Sequence, residues 1–420
     1  MEISGTSMMA AMLDAVEDAA PVDAVEAITR ELAKALDARS ASFLIADFGG
    51  RALVRLAHAA TGQDGGPDVR RRDDEVATVL PLDGGPMEQT LRTQKPQVFE
   101  GGDEWTVWAP VTERGEAIGL LELVLPVGPD AGALVEIGRV AHLLGFVVIA
   151  NRRHTDLFEW GQRTTPFNLS AEIQRRLLPS AFTCEAGAFT LSGWLEPAAS
   201  IGGDTFDYSL ARDLLHFSVT DAMGHGVASA LTATLGVGSL RNTRRQGRSL
   251  VEQAEAANAA VAEHAAAGSS FITATLGRVD LVSGVCTLIN AGHLPPLLVR
   301  DGDVEAVRLP KNFPLGMLPD STFASADVAL RAGDRLVIVT DGMTERRAAR
   351  LDLHAEMRRV AALHPREATR ALADAVLDVA GPRLTDDATL LIIDWYDEHT
   401  LGRRSSSGAD SIRASARLPS

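Results

Sequence analysis

The chain has 420 residues, enough for two or three domains at roughly 150 residues each. Hydrophobic residues make up 46% and charged ones 23%, a globular balance that excludes wholesale disorder. The formal net charge of −16, with no long basic stripe, argues against nucleic-acid binding and against an anionic membrane surface. Cys184 and Cys286 cannot build a disulfide framework and are too few for a structural zinc site. Asp14 and Glu17 interrupt any leader-like apolar stretch, and the longest apolar run, residues 143–150, is too short for a membrane span. The expectation is a protein of a reducing cytoplasm.

In chain order, the spacing of Val25, Ile28, Leu32 and Leu36 predicts a helix over residues 24–36. Residues 42–48, Gly49-Gly50 and residues 52–56 read as a hairpin, and residues 106–111 and 117–125 as a second one. Between them, residues 61–74 are rich in Gly, Asp and Arg and read as a mobile loop. Leu134, Ile137, Ala141, Leu144 and Val148 form one apolar helical stripe. Pro166 breaks the pattern, and Ser170 is placed to cap a second helix that Pro179 stops. The stripe suits either packing within its own domain or a homodimer through the 134–178 helices.

Beyond residue 180, strands and helices mix. Residues 214–220 form a strand reaching a polar turn at Asp221; residues 228–241 and 250–267 are alanine-rich helices; residues 270–280 and 285–290 form a hairpin. Residues 335–340 are an apolar strand ending at Asp341-Gly342, and residues 388–395 are the last strand. The boundaries expected are 22–150 for a first domain, 151–179 for a helical linker, 180–397 for a second domain, and 402–420 for a disordered tail.

The aspartates carry the chemistry. Gly202-Gly203-Asp204, Asp221-Ala222-Met223-Gly224, Asp341-Gly342 and Asp386-Asp387 lie at strand edges or turns, and two of them follow apolar strands directly. A carboxylate at the end of a buried strand is costly to desolvate unless a cation or a donor cluster holds it. Several such groups without His or Cys partners suit a hard, oxygen-seeking ion such as Mg²⁺ or Mn²⁺. Two such ions can ionise a shared water and neutralise a phosphoryl group in transfer. Any one Asp-Gly taken alone reads first as a turn residue, and spacing alone leaves the substrate open.

Seven ordered motifs carry a resemblance. They are Leu177-Leu178-Pro179, Ile201-Gly202-Gly203-Asp204-Thr205-Phe206-Asp207, Val219-Thr220-Asp221-Ala222-Met223-Gly224-His225-Gly226, Asn290-Ala291-Gly292-His293, Pro314-Leu315-Gly316, Val339-Thr340-Asp341-Gly342-Met343-Thr344-Glu345 and Thr385-Asp386-Asp387-Ala388-Thr389. Together, over about residues 170–396, they resemble the bacterial PPM-type serine/threonine phosphatases of the RsbU/SpoIIE group. The resemblance implies an α+β fold whose C-terminal part is an α-β-β-α sandwich binding two Mn²⁺ or Mg²⁺ ions at one edge. Asp204, Asp221, the carbonyl of Ala222, Asp341 and Asp386 would form the metal site, with Asp387 bonding to backbone or to water. It further implies hydrolysis of phosphoserine or phosphothreonine on a phosphorylated STAS-type anti-sigma factor antagonist.

Residues 22–150 resemble a GAF domain, an antiparallel sheet with helices, without a ligand signature. His225 and His293 read as structural residues ahead of a general-acid role for His225. Asp207 reads as a carboxylate outside the ligand set, and Cys286 as a packed core residue. Two rivals stay open: a phosphatase-like fold that only sequesters a partner, and another two-metal phosphoryl enzyme such as a nucleotide cyclase. The four intact aspartates oppose the first, and the motif order opposes the second.

Overall fold

The computed structural model describes residues 5–60, 78–164, 167–196, 202–264, 270–344, 348–381, 384, 386–398, 405 and 407–416. The loop expected at 61–74 lies outside the described residues. The chain divides into two compact units, Met1–Pro166 with Arg404–Ser420, and Phe167–Arg403.

The first unit contains α1 (Gly5–Asp18), α2 (Ala24–Ala35), β1 (Ser40–Ala46), β2 (Ala52–Ala60), β3 (Val79–Pro81), α3 (Pro86–Thr93), β4 (Gln97–Gly101), β5 (Glu104–Glu113), β6 (Glu116–Leu125), α4 (Ala131–Asn151) and α5 (Leu157–Gly161). The strands form one antiparallel sheet in the order β3-β2-β1-β6-β5-β4, with both expected hairpins in place. Alternation along β1 divides its side chains between two faces. Phe43 and Ile45 pack with Ile28, Leu32 and Leu144, while Leu44 and Ala46 pack with Leu53, Leu91 and Leu120.

Among the described residues α4 is the one helix long and apolar enough to cross a membrane by length and composition. Its Ile137, Val140, Ala141, Leu144 and Val148 are buried in this unit's core. Phe158 of α5 joins the same core, so the stretch expected as a linker at 151–179 is shared between the two units.

The end of the chain differs from the disordered tail expected at 402–420. Residues 407–416 run as turns within the first unit, with Ala409 and Ser415 buried. The Gly115 N–H donates to the Gly408 carbonyl at 3.0 Å, and Arg92 Nε donates to the Ala416 carbonyl at 2.8 Å. A serine-rich composition does not reveal this docking, because the tail contributes a backbone carbonyl to each bond.

The second unit contains α6 (Leu169–Leu177), β7 (Thr183–Glu185), β8 (Phe189–Glu196), β9 (Asp204–Leu210), β10 (Leu214–Ala222), α7 (Gly226–Arg245), α8 (Leu250–His264), β11 (Ile272–Asp280), β12 (Val285–Ala291), β13 (Leu297–Arg300), β14 (Asp303–Ala306), β15 (Ala326–Ala329), β16 (Arg335–Val339), α9 (Leu353–Arg359), α10 (Pro365–Ala380) and β17 (Ala388–Trp395). Two antiparallel sheets result, β15-β12-β11-β10-β9 and β14-β13-β16-β17-β8-β7.

Three apolar layers hold the unit together. Phe206, Phe217, Val219 and Leu288 of the first sheet meet Leu191, Ile338, Leu391 and Ile393 of the second. Ala233, Leu240, Ala254 and Val261 of α7 and α8 cover the outer face of the first sheet at Ile272, Ala274 and Ile289. Leu353, Met357, Leu372 and Val376 of α9 and α10 cover the second at Val337, Leu390 and Ile392. This is the helix-sheet-sheet-helix layering expected from the sequence, within a mixed α/β chain.

Two local expectations change. The cap of α6 is Asn168, whose side chain accepts from the Ala171 N–H at 2.8 Å, and Ser170 falls inside the helix. Asp221 is not in a turn: β10 continues through Ala222, and Asp221 stands opposite Asp204 of β9.

Candidate active site

Period-two alternation aims the functional side chains into the gap between the sheets. Phe206, Val219, Ile338 and Leu391 line that gap. Asp204 lies two residues before Phe206, Asp221 two after Val219, Thr340 two after Ile338, and Thr389 two before Leu391. All four therefore share the inter-sheet face at one end of the sandwich. Thr340 Oγ1 donates to Asp204 Oδ2 at 2.6 Å, and Thr389 Oγ1 donates to the same oxygen at 2.7 Å. Asp204 is almost fully buried, at 3% exposure.

Asp204 and Asp221 are directly opposed on neighbouring strands, an arrangement that like charges disfavour. Burial, then the nearby Asp221 and Asp387, raise the Asp204 pKa well above the ordinary carboxylate range, while the two threonine hydroxyls work the other way. A divalent cation would remove both penalties, by replacing lost hydration and by screening the repulsion. Next to the pair, Gly203 closes on Ala222: a Cβ on Gly203 would lie 2.5 Å from the Ala222 carbonyl oxygen. Glycine thus keeps that oxygen unobstructed beside two carboxylates. The donor set, carboxylate and carbonyl oxygens alone, fits Mg²⁺ or Mn²⁺.

Asp341 opens a 3₁₀ turn, Asp341–Met343, directly after Thr340, and is partly exposed. Asp386 is also partly exposed, and its Oδ1 accepts the Asp387 N–H at 3.0 Å. Asp387 is the buried member of that pair, and its Oδ2 accepts from the Gly203 N–H at 3.2 Å. The five expected ligand residues thus gather at one end of the sandwich. Among the described residues, however, no three His, Cys, Asp or Glu side chains already stand as a finished metal cage.

The other singled-out residues lie elsewhere. Asp207 faces the opposite side of β9, where its oxygens accept from Arg241 Nη2 and Arg244 Nη1 of α7, each at 2.9 Å. Asp207→Ala should cost about 2–3 kcal/mol in urea unfolding, because two charged donors lose their acceptor. It should leave Mn²⁺ affinity unchanged by calorimetry. His225 is exposed at the entry to α7. His293 Nδ1 lies 2.8 Å from Thr273 Oγ1, and burial lowers its pKa to about 4, which leaves it neutral near pH 7. Cys286 is fully buried and burial pushes its thiol pKa up, as a packed core residue requires.

Residues 211–396 match the family described as stage II sporulation protein E (SpoIIE). That stretch of the C-terminal unit is similar to the SpoIIE family. The matched stretch takes in Asp221, Ala222, Asp341 and Asp386 and begins after Asp204. The phosphoserine phosphatase RsbU of Bacillus subtilis is 24% identical over 235 residues, 54% of this chain and 68% of the relative. Protein IcfG of Synechocystis is 25% identical over 205 residues, 42% of this chain and 32% of that protein. The solved RsbU and RsbW domains of a Mycobacterium tuberculosis protein share 27% identity at a TM-score of 0.45, covering 50% of this chain and 61% of that one. The chain thus spans about two thirds or less of the length of these proteins.

Sequence reasoning missed Thr340, Thr389 and Gln174. The two threonines were legible in principle, since each follows the inward alternation of its strand. Gln174, on α6, shows no such signal.

Proposed function

We propose that the C-terminal unit is a SpoIIE-type, metal-dependent protein serine/threonine phosphatase that uses Asp204, Asp221, the Ala222 carbonyl, Asp341 and Asp386 to hold two Mn²⁺ or Mg²⁺ ions. The observation that carries this reading is the buried Asp204 directly opposed to a partly exposed Asp221, beside an unobstructed carbonyl. When bound, the ions would ionise a water and offset charge on the phosphoryl group. The protein's own part is orientation. Thr340 and Thr389 fix one Asp204 oxygen, leaving the other for a cation. The inter-sheet core behind the pair excludes water from that side.

The substrate in this reading is a phosphorylated STAS-type anti-sigma factor antagonist, and the setting is cytoplasmic control of a sigma factor. The relative RsbU is itself named a phosphoserine phosphatase. The N-terminal unit, read as GAF-like, would regulate the rate, with the 134–178 helices as a route to a homodimer.

The test is hydrolysis of p-nitrophenyl phosphate and of a phosphoserine protein by the full chain in excess Mn²⁺, beside EDTA-treated protein and Asp341→Asn. Turnover lost in both controls is the expected result. No turnover together with no Mn²⁺ bound by calorimetry would overturn it and favour a partner-sequestering role.

A further inference from the structure

Gln174 lies on α6, with 1% of its surface exposed. Its side-chain amide nitrogen donates to two segments far apart in sequence. One bond, 2.8 Å, goes to the backbone carbonyl of Asp204; the other, 2.7 Å, goes to Asp387 Oδ2. An amide NH₂ has two hydrogens, so both donors are engaged. The same Asp387 oxygen takes the Gly203 N–H. One side chain from a short helix thus ties the start of β9 to the segment before β17, across the gap between the two sheets.

The helix that carries it is itself fixed on two sides. A Cβ on Gly202 would lie 2.9 Å from Ser170 Cβ, so α6 packs closely on the chain leading into β9. At its far end the Leu177 carbonyl accepts from Arg241 of α7, the same arginine that holds Asp207. The amide is therefore delivered to its two partners by a fixed element.

We propose that Gln174 is a positioning residue of the active site: it sets the spacing between the Asp204 strand and the Asp386-Asp387 segment, and α6 belongs to the catalytic machinery. This rests on the metal-dependent phosphatase reading above. Groups that orient ligand carboxylates without touching the metal commonly change metal affinity 10–100-fold when removed. The two bonds fix a backbone at one end and a carboxylate at the other, so their loss acts on ligand geometry.

The test uses full-length Gln174→Met, which keeps length and volume but has no donor. Mn²⁺ binding is measured by calorimetry, melting of the EDTA-treated protein by scanning calorimetry, and kcat and KM with p-nitrophenyl phosphate. A Mn²⁺ Kd raised about 10–100-fold, with the metal-free melting temperature held within a few degrees, is the expected result. A Kd within twofold of the parent overturns the assignment, as does a lowered melting temperature with unchanged Kd. Should the methionine variant fail to fold, Gln174→Asn keeps an amide too short to reach both partners and is read in the same way. A cycle with Asp387→Asn adds a second check: losses that multiply independently count against a shared action. If the parent itself neither binds Mn²⁺ nor hydrolyses phosphate esters, the phosphatase reading fails. If the parent does both and Gln174→Met matches it, only this assignment fails.

Discussion

Asp204→Asn should reduce metal-dependent hydrolysis by about 10³-fold or more while raising the melting temperature of the metal-free protein. The first effect follows from losing a charged ligand, since each factor of ten reflects about 1.4 kcal/mol of barrier and a metal supplies several. The second follows from the surroundings of Asp204. It is buried, faces Asp221 across the β9–β10 pair and lies near Asp387, and burial is the largest cause of its raised pKa. A group whose folded pKa is raised favours the protonated form in the folded state, so its ionised form opposes folding at neutral pH. Asparagine keeps the shape and an acceptor oxygen for Thr340 and Thr389 while removing the charge. For a unit of this size each kcal/mol gained moves the midpoint by about 2–4 °C. Scanning calorimetry in EDTA reads this directly, and added Mn²⁺ should then raise the parent's midpoint but not the variant's. A variant that melts below the parent in EDTA would show that the hydroxyl bonds to Asp204 outweigh the repulsion. Such an exchange of stability for function is expected where like charges are held together for a ligand.

That site was partly legible in the sequence because strands and aspartates report on each other. The apolar runs of β10, β16 and β17 are short and bounded, and Asp221, Asp341 and Asp386 fall just at or beyond their ends. Helix α2 was legible from apolar spacing, α7 and α8 from their alanine-rich composition, and both hairpins of the first unit from their turns. Other features depend on contacts between distant segments, which no local pattern encodes. The register that sets Asp204 against Asp221 is one, and it turned an expected polar turn into paired strand. Gln174 is another: a single glutamine on a helix looks like any solvent-facing residue until the partners 30 and 213 positions away are known. The short strands β13, β14 and β15, four residues each, carry too few alternations to be read. Asn168 was overlooked as a cap because Ser170 sits nearer the apolar run, yet only the Asn168 oxygen reaches the Ala171 N–H. At the chain end, composition suggested disorder, whereas Gly408 has φ +91 and no side chain to meet the Thr112 carbonyl, 1.8 Å from where a Cβ would be.

Gly342→Ala should cut turnover by about 10²-fold or more, the loss expected when ligand geometry shifts by about an ångström. A methyl group there would lie 1.9 Å from the Asp387 carbonyl oxygen and 3.1 Å from Ala388 Cα. Both neighbours are backbone, so no side-chain rotation can relieve the overlap. Either the turn bearing Asp341 or the segment bearing Asp386 and Asp387 must move, and the distance between two expected ligands changes with it. The control is Gly238→Ala on α7, where a Cβ would meet nothing within 4 Å. Alanine favours a helix interior over glycine by about 1 kcal/mol, so this variant should be as stable as the parent or slightly more so. Mn²⁺ titrations with p-nitrophenyl phosphate separate the pair: activity retained in Gly238→Ala and lost in Gly342→Ala is the expected pattern. Full activity in Gly342→Ala would mean that the Asp341 turn moves without consequence, and Asp341 would then leave the ligand set. Gly238 has open space beside it and Gly342 is pressed against backbone, so the comparison tests the close approach that brings the ends of β16 and β17 together.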